Sequence, residues 1–352
     1  MWRTRRKANR QAGGATVTLD RRERADEEFD GSIEELQSEI ERLTELNAVT
    51  PSRATERRLI RLRHIAGMRL VDEAPPAPEF ANPDDDRLPN AGRLPEVVAD
   101  ELTPGLVRAG LLRDGCLLVR GLVAREPSLA LADEIDRAFA QRERHEAGRT
   151  ITEGYYEEFA PNSRYGAVAG RGWIEQGGGL LAADAPKLNF ELMQMFRAAG
   201  LPELVSGYLG EPALISVHKT TLRKAEPAVP GAWHQDGFFM GDVRSLNLWL
   251  SLSRCGDEAP GLDIVPRRFQ EYLASTGADA LDYTISSARV EQAAGETPVI
   301  RPIFEPGDAI FFDERFLHQT ASDPSMRKPR YAVENWFFGG SRFPQEYAPI
   351  AV

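Results

Sequence analysis

The chain of 352 residues is poor in cysteine and has no long apolar run. Its two cysteines, Cys116 and Cys255, lie far apart without CxxC spacing, which indicates a reduced, cytoplasmic setting and no structural zinc held by thiolates. No run approaches the roughly 18 apolar residues that a membrane span needs. Acidic residues outnumber basic ones by 54 to 43, and this net charge of −11 disfavours nucleic acid and anionic lipid as partners.

The composition supplies enough apolar material for a folded core. Apolar residues make up 42% of the chain and aromatic residues 8%, which excludes wholesale disorder. The length fits one large domain with an appendage, or two small domains.

The sequence divides into four segments. Residues 1–30 are predicted to form a flexible tail with basic and acidic residues; no apolar stretch follows its basic start, so we expect no secretory signal. Residues 31–71 predict a helical hairpin, which opens with a capping box at Ser32 and Glu35. Residues 72–93 form a Pro- and Asp-rich linker, and 94–352 the main domain. The hairpin's apolar stripe must pack on that domain or on a second copy, which leaves a homodimer open.

The periodicity of the chain changes to two from residue 212 onward. Asn247, Trp249 and Ser251 alternate with leucines, as on a strand with one apolar and one polar-aromatic face. Before this region we expect a helix over about 94–110, a strand over 116–119 and a helix ending near Arg144. Further strands are predicted over 214–222, 262–265, 299–303, 309–312 and 331–338. Many short strands without alternating helices favour a mainly β sandwich or barrel with flanking helices.

Three of the five histidines fall in this β-rich half: His218, His234 and His318. The other two, His64 and His145, lie in charged helical segments and are expected at the surface. On a strand, His234 and Asp236 point to the same face and can reach one ion. His218 either lines a pocket or packs within its strand.

The residues that follow strengthen the prediction that the His-x-Asp pair binds a metal ion. His318 comes just past a predicted buried strand, and two imidazoles with one carboxylate form the facial triad of non-haem Fe(II) sites, which leaves coordination positions open. A keto diacid bound there needs a cation for its far carboxylate, and Arg330 is our candidate. Arg327 is the alternative anchor, and Arg330 would otherwise pair with Glu334 or Asp323 at the surface.

These motifs together resemble the phytanoyl-CoA dioxygenase-like branch of the Fe(II)/2-oxoglutarate oxygenases over about residues 94–338. The segments that carry the resemblance are GCLLVRG at 115–121, WHQD at 233–236, LNLWL at 246–250, PGLDIVP at 260–266, and Gly307-Asp308 leading to His318 and Arg330. The family usually has Pro-Gly-Ser-His after its central strand, where this chain has Pro266-Arg267-Arg268-Phe269. That departure bears on substrate choice more than on the iron.

The resemblance implies a fold, a cofactor set and site residues. The fold is a double-stranded β-helix, a cupin-like jelly roll whose mouth holds the metal. His234, Asp236 and His318 are the implied iron ligands and catalytic residues, and Arg330 the implied 2-oxoglutarate anchor. Further candidates for binding the co-substrate are Trp249 and Asn247 on the central strand, and Thr221 and Lys219 on an earlier one.

The expected activity is therefore an Fe(II)- and 2-oxoglutarate-dependent dioxygenase that consumes O2 and releases succinate and CO2. Because Asp236 occupies the position that a halide would need, hydroxylation of a small molecule, or a related oxidation such as desaturation, is favoured over halogenation. Two alternatives stay open: a metal-dependent hydrolase or isomerase on the same barrel, for which zinc would suit the same ligands, and a non-catalytic ligand-binding module. Whether the substrate is an acyl-CoA or a free metabolite is not determined by the fold.

Overall fold

A computed structural model of the chain describes residues 29–89, 94–149, 154–165, 170–227, 231–241, 243–275 and 284–352. The predicted tail, apart from its last two residues, and the end of the predicted linker lie outside this range. None of the described helices is both long and apolar enough to cross a membrane.

Helices flank a β-rich core. The α-helices are α1 (Ile33–Val49), α2 (Arg53–Asp72), α3 (Pro104–Asp114), α4 (Arg125–Glu146), α5 (Arg171–Gln176), α6 (Pro186–Ala198), α7 (Leu201–Leu209), α8 (Gly237–Met240) and α9 (Ser287–Ala294). The strands are β1 (Glu96–Val98), β2 (Cys116–Arg120), β3 (Gly179–Leu181), β4 (Ala213–Ala225), β5 (Ser245–Ser251), β6 (Gly261–Ile264), β7 (Ala309–Phe312), β8 (His318–Ala321), β9 (Arg330–Gly339) and β10 (Pro349–Ala351).

Two sheets form the core. The larger has the order β1-β2-β7-β5-β9-β4-β10, with β3 on β4, and the smaller pairs β6 with β8. Single bridges extend the smaller sheet: His234 pairs with His318, and Ile264 with Ile300. Side chains from both sheets line one cavity, so the functional site lies between them. The predicted mainly β double-stranded β-helix with flanking helices is confirmed.

The predicted hairpin corresponds to α1 and α2. The side chain of Ser32 accepts a hydrogen bond from the Glu35 amide, and the Glu35 carboxylate accepts one from the Ser32 amide, so the capping box is present. Their apolar stripes pack against each other, and α2 packs on β10 and α6 of the same chain. The division into four segments stays a prediction, as does a homodimer through the hairpin.

Three local predictions were wrong. No helix spans 94–110: β1 first pairs in parallel with β2, and α3 begins only at Pro104, where the Thr103 side chain caps it. The predicted strand at 299–303 is reduced to one bridge at Ile300. His64 is fully buried and not at the surface. Its burial is compensated because Nδ1 donates to Pro349 O at 2.7 Å and Nε2 accepts from Asn162 N at 3.0 Å. His145 is exposed, as expected.

Candidate metal centre and co-substrate cavity

Backbone pairing makes the two candidate imidazole ligands direct neighbours. The His234 amide donates to His318 O at 3.1 Å, and the His318 amide donates to His234 O at 3.2 Å. His318 is also the first residue of β8, opposite Ile264 of β6. Residues 84 positions apart in the chain are thereby fixed side by side, with ring centroids 4.5 Å apart.

Asp236 reaches the histidines by a different route from the predicted strand alternation. It is the N-cap of α8, with φ −65° and ψ −21°, so the chain has already left the extended conformation. The turn is held by the fully buried Gln235, which donates to Arg315 O at 2.6 Å and accepts from the Leu273 amide at 2.7 Å. Gln235 was not predicted as a site residue. Its position inside the His-x-Asp motif was the available signal.

The three side chains converge on one point. His234 Nε2 lies 3.9 Å from Asp236 Oδ1, and His318 Nε2 lies 3.7 Å from Asp236 Oδ2. One ligand atom from each residue lies within 4.8 Å of the others. Metal–nitrogen and metal–oxygen bonds of about 2.0–2.2 Å would place an ion between atoms at these separations.

Each imidazole is also oriented as a ligand. His234 Nδ1 lies 2.7 Å from Ala232 O, and His318 Nδ1 lies 3.1 Å from Phe316 O. A carbonyl oxygen only accepts, so Nδ1 carries the proton in both rings and Nε2 keeps its lone pair toward Asp236. This donor set fits a divalent metal ion.

The electrostatics of the centre favour the ligand-competent protonation states. Burial and the nearby His234 lower the pKa of His318 to about 4, so this imidazole is neutral near pH 7. Burial alone would raise the pKa of Asp236, but His234 and His318 outweigh it, and the pKa lies below its ordinary value. Metal ligands must be deprotonated, and both groups meet that condition.

A cavity of about 320 Å³ opens on this centre, with Arg330 in its wall. Arg330 is 3% exposed, and its Cζ lies over the Trp249 ring, 5.3 Å from the ring centroid. Its Nη1 donates to Gly261 O at 3.0 Å, whereas its Nε has no hydrogen-bond partner among the described residues. Burial lowers its pKa to about 10, so it stays a cation near neutral pH.

The structure does not show the alternative partners of Arg330. Glu334 instead pairs with Arg223 at 3.3 Å, and the Asp323 carboxylate accepts hydrogen bonds from Ser325. Arg327 is exposed and donates to the carbonyls of Pro324 and Met326. Of the two candidate anchors, Arg330 lines the cavity and Arg327 does not.

The remaining co-substrate candidates lie partly in the cavity wall. Trp249, Thr221 and Lys219 line the cavity, and the hydroxyl of Thr221 has no hydrogen-bond partner among the described residues. Asn247 is fully buried on β5 but does not line this cavity. The inward face of β4 therefore carries Lys219 and Thr221. His218, left open by the sequence, lines the cavity as well.

No family model matches this chain, and no curated protein matches it. Among solved structures, EctD from S. alaskensis in its apo form is similar with a TM-score of 0.50 and 16% identity, covering 76% of this chain and 87% of that one. EctD solved with 2-oxoglutarate and 5-hydroxyectoine has a TM-score of 0.49 and 14% identity, with 74% and 83% covered. AviO1 from Streptomyces viridochromogenes Tue57 has a TM-score of 0.43 and 17% identity, with 69% and 98% covered. At these identities, the likeness to apo EctD supports a shared fold.

Proposed function

We propose that this protein is an Fe(II)- and 2-oxoglutarate-dependent oxygenase that hydroxylates a small molecule. The observation that carries the proposal is the convergence of His234, Asp236 and His318 beside a buried arginine, Arg330, whose Nε has no hydrogen-bond partner in the described part of the chain. Two neutral imidazoles and one carboxylate on one side of a metal are the donor set of non-haem Fe(II) oxygenases. The fold shared with apo EctD is consistent with it. Membership of the phytanoyl-CoA dioxygenase-like branch stays a prediction.

Arg330 is the feature that separates this proposal from a hydrolase on the same barrel. A buried cation is costly unless a partner anion or a chain of hydrogen bonds compensates it. Gly261 O satisfies one edge of the guanidinium, and the edge with Nε is left for two parallel hydrogen bonds to a carboxylate. A metal hydrolase has no need of such a group, whereas a keto diacid presents that carboxylate.

The protein's own part in the reaction is to bind, orient and exclude water. Fe(II) and 2-oxoglutarate, when bound, supply the oxidation of a C–H bond by dioxygen with release of succinate and CO2. His234 and His318 would hold the metal through Nε2, while Ala232 O and Phe316 O keep their Nδ1 protons in place. The Trp249 ring keeps the guanidinium of Arg330 aligned, and the buried walls limit the access of water.

Anaerobic titration tests the proposal. The purified protein with Fe(II) should develop a weak visible charge-transfer band when 2-oxoglutarate is added, and admission of oxygen should release succinate. A hydrolase or isomerase would show neither. A non-catalytic module would give no succinate under any substrate screen. Fe(II) binding without either signal would exclude the oxygenase assignment.

A further inference from the structure

Three cationic side chains line the cavity: Lys219 and Arg223 on β4, and Arg330 on the neighbouring β9. Arg223 pairs with Glu334 at 3.3 Å. Ala225 lies opposite Arg330 in the pairing of β4 with β9, and Lys219 lies six residues away on the same strand. At about 3.3 Å per residue, the two backbone positions are up to about 20 Å apart. Lys219 therefore lines the same cavity as His234, Asp236 and His318, at a position on β4 well removed from the one opposite Arg330.

A break in the strand pairing brings His218 to the same wall. In a regular strand, His218 and Lys219 would point to opposite faces. The register of β4 with β9 shifts between Ile215 and Thr220, and both side chains line the cavity. The Ser216 hydroxyl accepts a hydrogen bond from the Lys219 amide at 3.0 Å and holds this bulge. Bulges are common next to active sites, where they re-aim a side chain.

The hydrogen bonds of His218 show which ring nitrogen can donate to a ligand. Its Nδ1 accepts from the Ala348 amide at 3.3 Å, and Tyr347 stacks on the ring at 5.0 Å. Burial, with the charges of Arg171 and Lys219, lowers the pKa of His218 to about 4, so the ring is neutral near pH 7. A neutral ring that accepts at Nδ1 carries its proton on Nε2. The edge away from Ala348 is thus a hydrogen-bond donor.

Resting on the oxygenase assignment above, we propose that the substrate is a compact anion whose carboxylate or phosphate group is bound by His218 Nε2 and the Lys219 ammonium. Donation from a ring N–H and an ammonium to one acidic group is the pairing that such anions favour. The C–H bond to be oxidised then lies between this group and the metal. The cavity of about 320 Å³ also has to hold the co-substrate, which favours a compact free metabolite.

This proposal assigns Lys219 to the substrate, whereas the sequence placed it with the co-substrate. The two assignments predict different losses on substitution. If Lys219 binds substrate, Lys219→Met leaves the affinity for 2-oxoglutarate within about twofold of wild type, because Arg330 still holds the far carboxylate. If Lys219 binds the co-substrate, Lys219→Met lowers the affinity for 2-oxoglutarate.

The test uses the full chain loaded with Mn(II) and saturating 2-oxoglutarate, with acetate and inorganic phosphate as probes. Mn(II) enhances the NMR relaxation of nuclei bound close to it, so acetate protons and phosphate phosphorus report binding near the metal. We expect saturable relaxation of the nuclei of at least one anion. The dissociation constant of that anion should be about tenfold or more higher in Lys219→Met than in the wild type. His218→Phe keeps a ring against Tyr347 but loses the donor, and should also weaken binding. Lys328→Met, which removes an exposed lysine paired with Glu258, is the control and should change nothing.

The outcomes separate the two proposals. Saturable relaxation of the acetate protons or of the phosphate phosphorus identifies the acidic group that is bound, and either result supports the inference. No saturable relaxation in the wild type, or equal affinity in Lys219→Met, overturns it while the charge-transfer titration still stands. Loss of 2-oxoglutarate affinity in Lys219→Met returns this residue to the co-substrate and overturns it too. A wild type that binds neither metal nor 2-oxoglutarate refutes the oxygenase assignment, and the inference falls with it.

Discussion

Replacing Arg330 by lysine probes the co-substrate anchor without removing its charge. In the structure, the Nη1 of Arg330 is engaged by Gly261 O, so the carboxylate of 2-oxoglutarate would use Nε and the neighbouring Nη2. An ammonium cannot reproduce two parallel hydrogen bonds from a rigid fork. The substitution therefore removes at least one charge-assisted bond from the bound state.

The magnitude follows from that lost bond. A hydrogen bond to a charged group contributes about 1.5–3 kcal/mol, and at 1.4 kcal/mol per factor of ten this predicts about 10- to 100-fold weaker binding. Loss of the flat guanidinium over Trp249, now at 5.3 Å, adds to this in the same direction.

The assay is the anaerobic titration of the Fe(II)-loaded protein with 2-oxoglutarate, followed through the visible charge-transfer band. Arg327→Lys serves as the matched control, since Arg327 is exposed and contacts only neighbouring carbonyls among the described residues. Its dissociation constant should equal that of the wild type. An unchanged constant in Arg330→Lys, or a loss confined to Arg327→Lys, would refute this placement of the anchor.

Three further predictions concern the metal centre and the stability of the fold. Asp236→Ala should abolish metal-dependent turnover and weaken Fe(II) binding while circular dichroism stays native; retained turnover would argue against this ligand. Gly307→Ala should lower the free energy of unfolding, measured with denaturant, by about 2 kcal/mol or more, because φ is +96° and a Cβ would meet Val123 O at 2.0 Å. The control Gly121→Ala, where φ is positive but the space is open, should lower it by about 1 kcal/mol. Equal losses in the two variants would contradict the steric argument. Burial lowers the pKa of His64 from 6.5 to about 4, so the folded state prefers the neutral ring. Up to about 3 kcal/mol of the free energy of unfolding is therefore lost as the pH falls from about 6.5 to 4. His64→Leu should lose less stability over this range, and an identical pH dependence in the variant would exclude His64 as the source of the loss.

Part of the candidate site was predictable from a local pattern, since the alternation of apolar residues around Trp249 located the central strand. The grouping of His234, Asp236, His318 and Arg330 rested mainly on the ordered motifs that carry the family resemblance. The reason given for the His-x-Asp pair was nevertheless incomplete, since Asp236 begins a helical turn instead of continuing a strand. Its geometry depends on the buried amide of Gln235.

The features that the sequence did not predict depend on contacts between distant parts of the chain. The short strand β1 exists because its residues pair with β2, and nothing local distinguishes it from the start of a helix. His64 sits in a charged helix, yet the carbonyl of Pro349 and the amide of Asn162 compensate its burial. The bulge at 216–219 has no glycine or proline to mark it.

The most direct test of the shared metal centre is anomalous diffraction from crystals grown anaerobically with Fe(II) and 2-oxoglutarate. We predict one iron peak bonded to Nε2 of His234 and His318 and to a carboxylate oxygen of Asp236, with the far carboxylate of 2-oxoglutarate on Arg330. Iron bound elsewhere, or 2-oxoglutarate that does not reach this arginine, would contradict the account.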